Sequence, residues 1–180
     1  MPLPALDDPA PPFSLPALTP RGEGRLSLRD LADRWVVVFF YPADFSFVCP
    51  TEVRGFAAVY PRFVEAGAEV VGISPDDLAS HRAWAEQLGG IPYPLLSDPG
   101  NLTAAAWGAA RPGAERPERA TYIVDPEGAL VFAMKVSRNV GRGVAETLRV
   151  LRGLQTGRLC PADWQPGDES FDPGPGVTVR

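Results

Sequence analysis

The sequence is poor in the side chains on which much covalent and metal chemistry depends. Lys135 is the only lysine among 17 basic residues, which argues against chemistry through a lysine–substrate adduct. One histidine, His81, and two cysteines, Cys49 and Cys160, cannot fill a four-ligand zinc site. Acidic residues could complete such a set, but no paired-ligand spacing is present. We therefore expect a protein with neither a metal ion nor a cofactor.

Long apolar runs and an excess of positive charge are missing as well. No stretch approaches the roughly 18 apolar residues that a membrane span needs. The first 18 residues lack the basic start and continuous apolar segment of a signal peptide. The net charge of −5 argues against nucleic acid and anionic membrane as main partners. These features together predict a cytoplasmic protein.

The pattern of apolar residues predicts an α/β protein. The 180 residues suit one globular domain, and the continuous apolar run Trp35–Tyr41 is typical of a strand buried on both faces. Residues 1–155 are predicted to form a mixed central sheet flanked by helices, and residues 156–180, rich in Pro, Gly and acidic residues, to form an extended C-terminal arm. The further predicted strands are 69–74, 93–96, 121–124 and 129–136, and the predicted helices begin near 50, 77, 102 and 143.

Three local expectations accompany this prediction. The proline-rich residues 1–20 are expected to lie extended on the surface. Pro61 falls inside a helical pattern, where it predicts a kink or an early end. His81 is expected on a helix surface, without a role in function.

Cys49 stands at a predicted helix start. Pro50 suits the first turn of a helix and Glu52 suits it by charge, so the free N–H groups and the helix dipole would favour an anion at Cys49. A helix N-terminus and a nearby cation can lower the pKa of a cysteine from about 8.5 to roughly 3.5–7.5, which produces the nucleophilic thiolate. A buried structural role is the usual alternative for a free cysteine. The polar neighbours Asp44 and Ser46 favour a reactive thiol here.

Four segments resemble those of one family, the typical two-cysteine peroxiredoxins, which include the peroxidase component of bacterial alkyl hydroperoxide reductase. The segment FYPADFSFVCPTE meets the family's Pro-x-x-x-Thr/Ser-x-x-Cys pattern with Pro42, Ser46 and Cys49. The other three, in family order, are RATYIVDPEG at 119–128, NVGR with ETLR at 139–149, and CPADW at 160–164. The resemblance implies a thioredoxin-like fold and reduction of hydroperoxides.

The resemblance also implies a role for each residue of the motif. Cys49 would be the peroxidatic cysteine, which attacks the peroxide and becomes a sulfenic acid. Arg119 would hold the thiolate ionised and orient the peroxide. Ser46 would hydrogen-bond the peroxide, and Pro42 would shield the thiolate from water. Cys160 would resolve the sulfenic acid to a disulfide.

Other roles follow from the same resemblance. Glu52 would position Arg119 or another arginine, with a simple helix-start carboxylate as the alternative, and Arg142 would belong to a supporting network. Cys160 would come from the partner of a homodimer, and a thioredoxin or similar dithiol would reduce the disulfide. Whether the dimers form a decameric ring stays open.

Two other functions are alternatives to a peroxidase. The first is a thioredoxin-like disulfide oxidoreductase, although that chemistry usually needs Cys-x-x-Cys. The second is a ring-forming holdase.

Two departures from the family concern turnover. Residues 88–92, LGGIP, are shorter than the family's Gly-Gly-Leu-Gly insertion, and residues 171–180 give no sign of its Tyr-Phe helix. In the family these features slow disulfide formation. Their absence predicts fast disulfide formation and resistance to overoxidation.

Overall fold

The apolar run before Tyr41 forms a central strand of a mixed seven-stranded sheet. The computed structural model describes residues 4–174. The strands are β1 (Ser14–Thr19), β2 (Gly22–Ser27), β3 (Trp35–Phe40), β4 (Ala68–Ser74), β5 (Leu95–Ser97), β6 (Arg119–Val124) and β7 (Leu130–Val136). The α-helices are α1 (Cys49–Glu65), α2 (Leu78–Gln87), α3 (Leu102–Ala106) and α4 (Val144–Gln155), and Leu28–Leu31 form a short 3-10 helix.

The sheet order is β2-β1-β5-β4-β3-β6-β7, with β3, β4 and β5 parallel and the remaining pairs antiparallel. Alternate residues of β3 serve the two faces of the sheet. Phe39 stacks on Phe56 of α1 with ring centroids 4.4 Å apart, whereas Phe40 packs in the opposite core with Trp107 and Tyr122. Since β3 is buried on both faces, the continuous apolar sequence was a sound basis for the predicted α/β sheet.

The register of β3 brings two distant segments to one edge of the sheet. Phe40 pairs with Ile73 of β4 on one side and with Ala120 of β6 on the other. The chain leaves β3 into the loop 41–48 and enters α1 at Cys49. Arg119, the first residue of β6, therefore lies beside the end of the strand that leads to Cys49.

The structure corrects two expectations. The segment 1–20 is not merely a surface extension, because β1 pairs on both sides and Ala17 is fully buried. Its partner strand β2 was not predicted. An early end of α1 at Pro61 is also wrong, because the helix continues to Glu65, while a kink at Pro61 stays a prediction. Pro61 removes one hydrogen bond of the helix, but the chain beyond it still forms a helical hydrogen bond, from the N–H of Ala66 to the carbonyl oxygen of Arg62.

The chain divides into two compact units, residues 1–142 and 143–180. In the second unit α4 is followed by a loop closed by Leu159 and Phe171, which exchange two backbone hydrogen bonds of 3.0 and 2.9 Å. The division at residue 155 and the description of 156–180 as an arm stay predictions. Residues 175–180, part of that prediction, lie outside the described residues. Of the helices within 4–174, none is both long and apolar enough to cross a membrane.

Candidate active site

Cys49 is the first residue of α1, as the local sequence predicts. Pro50 follows in the first turn, and the backbone N–H of Cys49 donates to Oγ of Ser46 at 3.4 Å. Thr51 closes the turn, since its hydroxyl donates to the carbonyl oxygen of Val48 at 2.7 Å. The side chain of Cys49 is fully buried. The thiol is thus held at a helix N-terminus and shielded from solvent.

Arg119 reaches the thiol from β6. Its Nη1 lies 3.2 Å from Sγ of Cys49 and donates to Oε2 of Glu52 at 2.5 Å. Its Nε donates to the carbonyl oxygen of Arg138 at 2.8 Å. The guanidinium is held at both ends, so it faces the sulfur in a fixed orientation. The structure therefore brings together Cys49, Glu52 and Arg119, three residues that the sequence analysis singled out.

Arg142 joins the same cluster through Glu52. Its Nε and Nη2 donate to the two carboxylate oxygens of Glu52 at 2.8 and 2.9 Å, and its backbone N–H donates to Oε1 at 2.8 Å. Its Nη1 donates to the carbonyl oxygen of Ala120 at 2.6 Å. The guanidinium carbon lies 5.5 Å from the ring centroid of Phe39, a cation–π distance. Such a bidentate pair fixes the carboxylate that in turn orients Arg119.

Glu52, Arg119 and Arg142 form a buried cluster of two positive charges and one negative charge. Glu52, Arg119 and Arg142 are 2%, 3% and 7% exposed, so each charge is largely removed from water. Burial by itself raises the pKa of Glu52, but the hydrogen bonds and charge of Arg142, with the charge of Arg119, outweigh it and lower that pKa below its usual value. Burial likewise opposes the charge of Arg119, but its contacts with Cys49 and Glu52 raise its pKa. Two cations and one carboxylate leave a net positive charge that a thiolate at Cys49 would neutralise.

The remaining candidate residues are placed as follows. Pro42 is buried in the loop after β3, and Ser46 is half-buried in the same loop. Cys160 belongs to the second unit, where it is half-buried and its Sγ lies 3.5 Å from Oγ1 of Thr156. Both Cys49 and Cys160 are free thiols. The roles assigned to all these residues stay predictions.

His81 contradicts its expected surface position. It is fully buried on α2, and its Nδ1 lies 2.8 Å from Oδ2 of Asp44 in the loop before Cys49. The sequence analysis missed this pair. The sequence does contain one signal for the burial of His81. His81 lies three positions before the large apolar residue Trp84, and residues i and i+3 lie on the same face of a helix.

Comparison with known proteins agrees with this geometry. The model of the AhpC/TSA family matches residues 6–133, most of the chain. The chain belongs to this family, the peroxiredoxins. It is accordingly an oxidoreductase, of the thiol peroxidase class.

Individual peroxiredoxins are similar over nearly their whole length. The protein YkuU of Bacillus subtilis (strain 168), whose own peroxiredoxin assignment is a prediction, is 40% identical over 171 residues, 90% of this chain and 95% of that protein. The chloroplastic 2-Cys peroxiredoxin BAS1 of Hordeum vulgare is 35% identical over 184 residues, covering 96% and 88%. The reduced 2-Cys peroxiredoxin of Plasmodium vivax superposes with a TM-score of 0.88 at 29% identity, covering 94% and 93%. The predicted thioredoxin-like fold is therefore confirmed.

Proposed function

We propose that this peroxiredoxin reduces hydrogen peroxide and organic hydroperoxides through a thiolate at Cys49. The observation that carries the proposal is the 3.2 Å contact between Nη1 of Arg119 and Sγ of Cys49, in a buried cluster with two cations and one carboxylate. A thiolate balances these charges, and a thiol does not. The nucleophilic form of the sulfur, a thiolate, would thus complete the charge balance of the cluster.

In the first step the sulfur attacks one peroxide oxygen. An S–O bond forms, the O–O bond breaks, and the leaving oxygen takes the electron pair and a proton to become water or an alcohol. Negative charge develops on that oxygen, and donors already aimed at the site stabilise it without reorganisation. Arg119 is held by Glu52 and Arg138 for this task. Ser46 would donate its hydroxyl hydrogen to the peroxide, and buried Pro42 would exclude water.

In the second step Cys160 resolves the Cys49 sulfenic acid. Its thiolate attacks the sulfenic sulfur, and a disulfide and water form. We place Cys160 on the partner subunit of a homodimer, as the resemblance implies, and dimers could assemble further into a decamer. The BAS1 and Plasmodium vivax proteins are both described as 2-Cys peroxiredoxins, which supports a two-cysteine cycle.

A dithiol such as thioredoxin would then return both thiols by exchange, which supplies the two electrons that the peroxide consumed. We place this cycle in the cytoplasm, where it would serve antioxidant defence and redox homeostasis.

The test is peroxide consumption with thioredoxin and its reductase, in the native protein, Cys49→Ser and Cys160→Ser. We expect turnover to be lost in both variants, while Cys160→Ser keeps a single stoichiometric oxidation. Turnover retained by Cys49→Ser would contradict the proposal. Loss in Cys49→Ser alone would assign resolution to an external thiol instead of Cys160.

A further inference from the structure

A second buried polar cluster lies beside the loop that carries Cys49. The carboxylate of Asp44, a residue 6% exposed, is contacted by three groups. The hydroxyl of Tyr41 donates to Oδ1 at 2.9 Å, and the hydroxyl of Ser80 and Nδ1 of His81 each lie 2.8 Å from Oδ2. Because a carboxylate only accepts, His81 donates through Nδ1. We call Tyr41, Asp44, Asp76, Ser80 and His81 the Asp44 hub.

Burial above all, together with the charge of Asp44, raises the pKa of Tyr41 well above its usual range. Its hydroxyl therefore stays protonated and remains a donor. Nε2 of His81 is buried without a hydrogen-bond partner among the described residues. Burying a polar atom without a hydrogen-bond partner costs free energy. The hydrogen bond from the other ring nitrogen, Nδ1, to Asp44 offsets part of that cost.

The hub also fixes the backbone of the loop. The backbone N–H of Asp44 donates to Oδ2 of Asp76 at 2.8 Å, and the hydroxyl of Ser74, at the end of β4, holds that carboxylate at 2.7 Å. The next residue, Phe45, has φ = 50° and is 54% exposed. Positive φ is strained for a bulky side chain and persists only where the surroundings impose it. Asp44 on one side of Phe45 and the Ser46–Cys49 turn on the other impose it here.

We propose that the Asp44 hub is a positioning device that keeps the loop 41–48 in the conformation that buries Cys49 beside Arg119. The inference rests on the proposed function. A disulfide requires the two sulfurs to come within about 2.05 Å, and no second thiol can approach a sulfur that is fully buried. Release of the strained loop is the movement that exposes Cys49. The hub therefore favours the attack on peroxide and opposes disulfide formation.

The two steps respond in opposite directions, which a merely destabilised fold would not produce. In His81→Ala, oxidation of Cys49 by hydrogen peroxide should slow about tenfold through misplacement of the sulfur, while disulfide formation after one equivalent of peroxide accelerates. Tryptophan fluorescence in stopped flow follows both steps, and mass spectrometry measures Cys49 sulfinic acid at excess peroxide, which should decrease. In Ser80→Ala, which loses one donor only, the same changes should be smaller.

Two variants control the experiment. In His81→Asn the amide nitrogen is the same number of bonds from Cα as Nδ1, so it can donate to Asp44, and both rates should return toward native values. Val71→Ala removes buried volume from the core cluster that contains no member of the hub, so it should lower the melting temperature without separating the two rates.

Native rates of Cys49 oxidation and disulfide formation in both Ser80→Ala and His81→Ala would overturn the proposal for the hub. It would also be overturned if the hub variants, like Val71→Ala, lowered both rates by the same factor. Should His81→Ala fail to fold, Ser80→Ala and His81→Asn decide the question by the same criteria. Peroxide consumption by Cys49→Ser would overturn the proposed function and the hub together, whereas the results above overturn the hub alone.

Discussion

Arg119 donates through a single nitrogen to both Sγ of Cys49 and Oε2 of Glu52. The carboxylate holds the guanidinium in place, and the guanidinium presents its charge to the sulfur. Glu52 is separated from Cys49 by less than one helical turn, whereas Arg119 is 70 positions further along the chain. The surroundings of the Cys49 sulfur thus depend on a local helix start and on a long-range sheet pairing at the same time.

We expect Arg119→Ala to lower the second-order rate constant for hydrogen peroxide about 10²–10³-fold, because one oriented donor to the developing charge is lost. The rate constant of Arg119→Lys should lie between those of the native protein and Arg119→Ala. A lysine keeps the positive charge, but its single ammonium group cannot contact Cys49, Glu52 and the Arg138 carbonyl at the same time. Stopped-flow measurement of the first oxidation checks this. Arg138→Ala is the matched control, because its exposed side chain is removed while its carbonyl remains. A rate for Arg119→Ala within twofold of native would contradict the prediction.

Glu52→Gln should destabilise the fold by about 3–5 kcal/mol, because it leaves two buried guanidiniums without their anion. The free energy of unfolding from urea titration measures the loss. Glu146→Gln is the control, because its pair with Arg149 is exposed and should contribute no more than about 1 kcal/mol. Equal losses in the two variants would contradict a special role for the buried cluster.

The same carboxylate predicts a pH dependence of stability. Its pKa in the folded protein lies below the ordinary value of 4.5. A carboxyl with a lowered pKa adds stability above its unfolded value, and that stability is lost as pH falls through the folded value. Below pH 4.5 the native protein should therefore lose stability more steeply than Glu52→Gln, and the two curves should converge. Parallel curves of unfolding free energy against pH would rule this out.

The part of the site predicted from the residues themselves is the part made by local sequence. Pro50 and Glu52 mark the helix start, and the structure begins α1 at Cys49. The place of Arg119 came from resemblance, because no local pattern reveals which strand lies beside β3. The strand β2 was missed since GEGRLS is polar, glycine-rich and largely exposed. The burial of His81 was missed because its partner Asp44 lies 37 positions away.

The hydroxyl of Ser46 should be held less firmly than a threonine hydroxyl would be, which affects how well it is positioned for the peroxide. Its Oγ accepts from the backbone N–H of Cys49 at a long 3.4 Å. Ser46→Thr adds a methyl group that restricts the side-chain rotamer, so the rate of peroxide oxidation should stay equal or rise. Ser46→Ala removes the hydroxyl and should lower that rate about tenfold or more. Stopped flow compares the three proteins, and a native rate in Ser46→Ala would show that the hydroxyl has no part in the first step.

Resistance to overoxidation should follow from the short connection between α2 and β5. After α2 ends at Gln87, residues 88–94 contain neither helix nor strand, and Gly89 and Gly90 turn the chain with φ of 87° and 94°. The Asp44 hub and the Ser46–Cys49 turn are restraints that the described residues provide on the loop 41–48. The sulfenic acid should therefore reach Cys160 before a second peroxide oxidises it.

Mass spectrometry after titration with excess peroxide should find the disulfide in the native protein. It should find Cys49 sulfinic acid in Cys160→Ser, which has no thiol to compete with the second peroxide. Equal sulfinic acid in both proteins would mean that resolution is slow, and the short connection would then have no bearing on overoxidation.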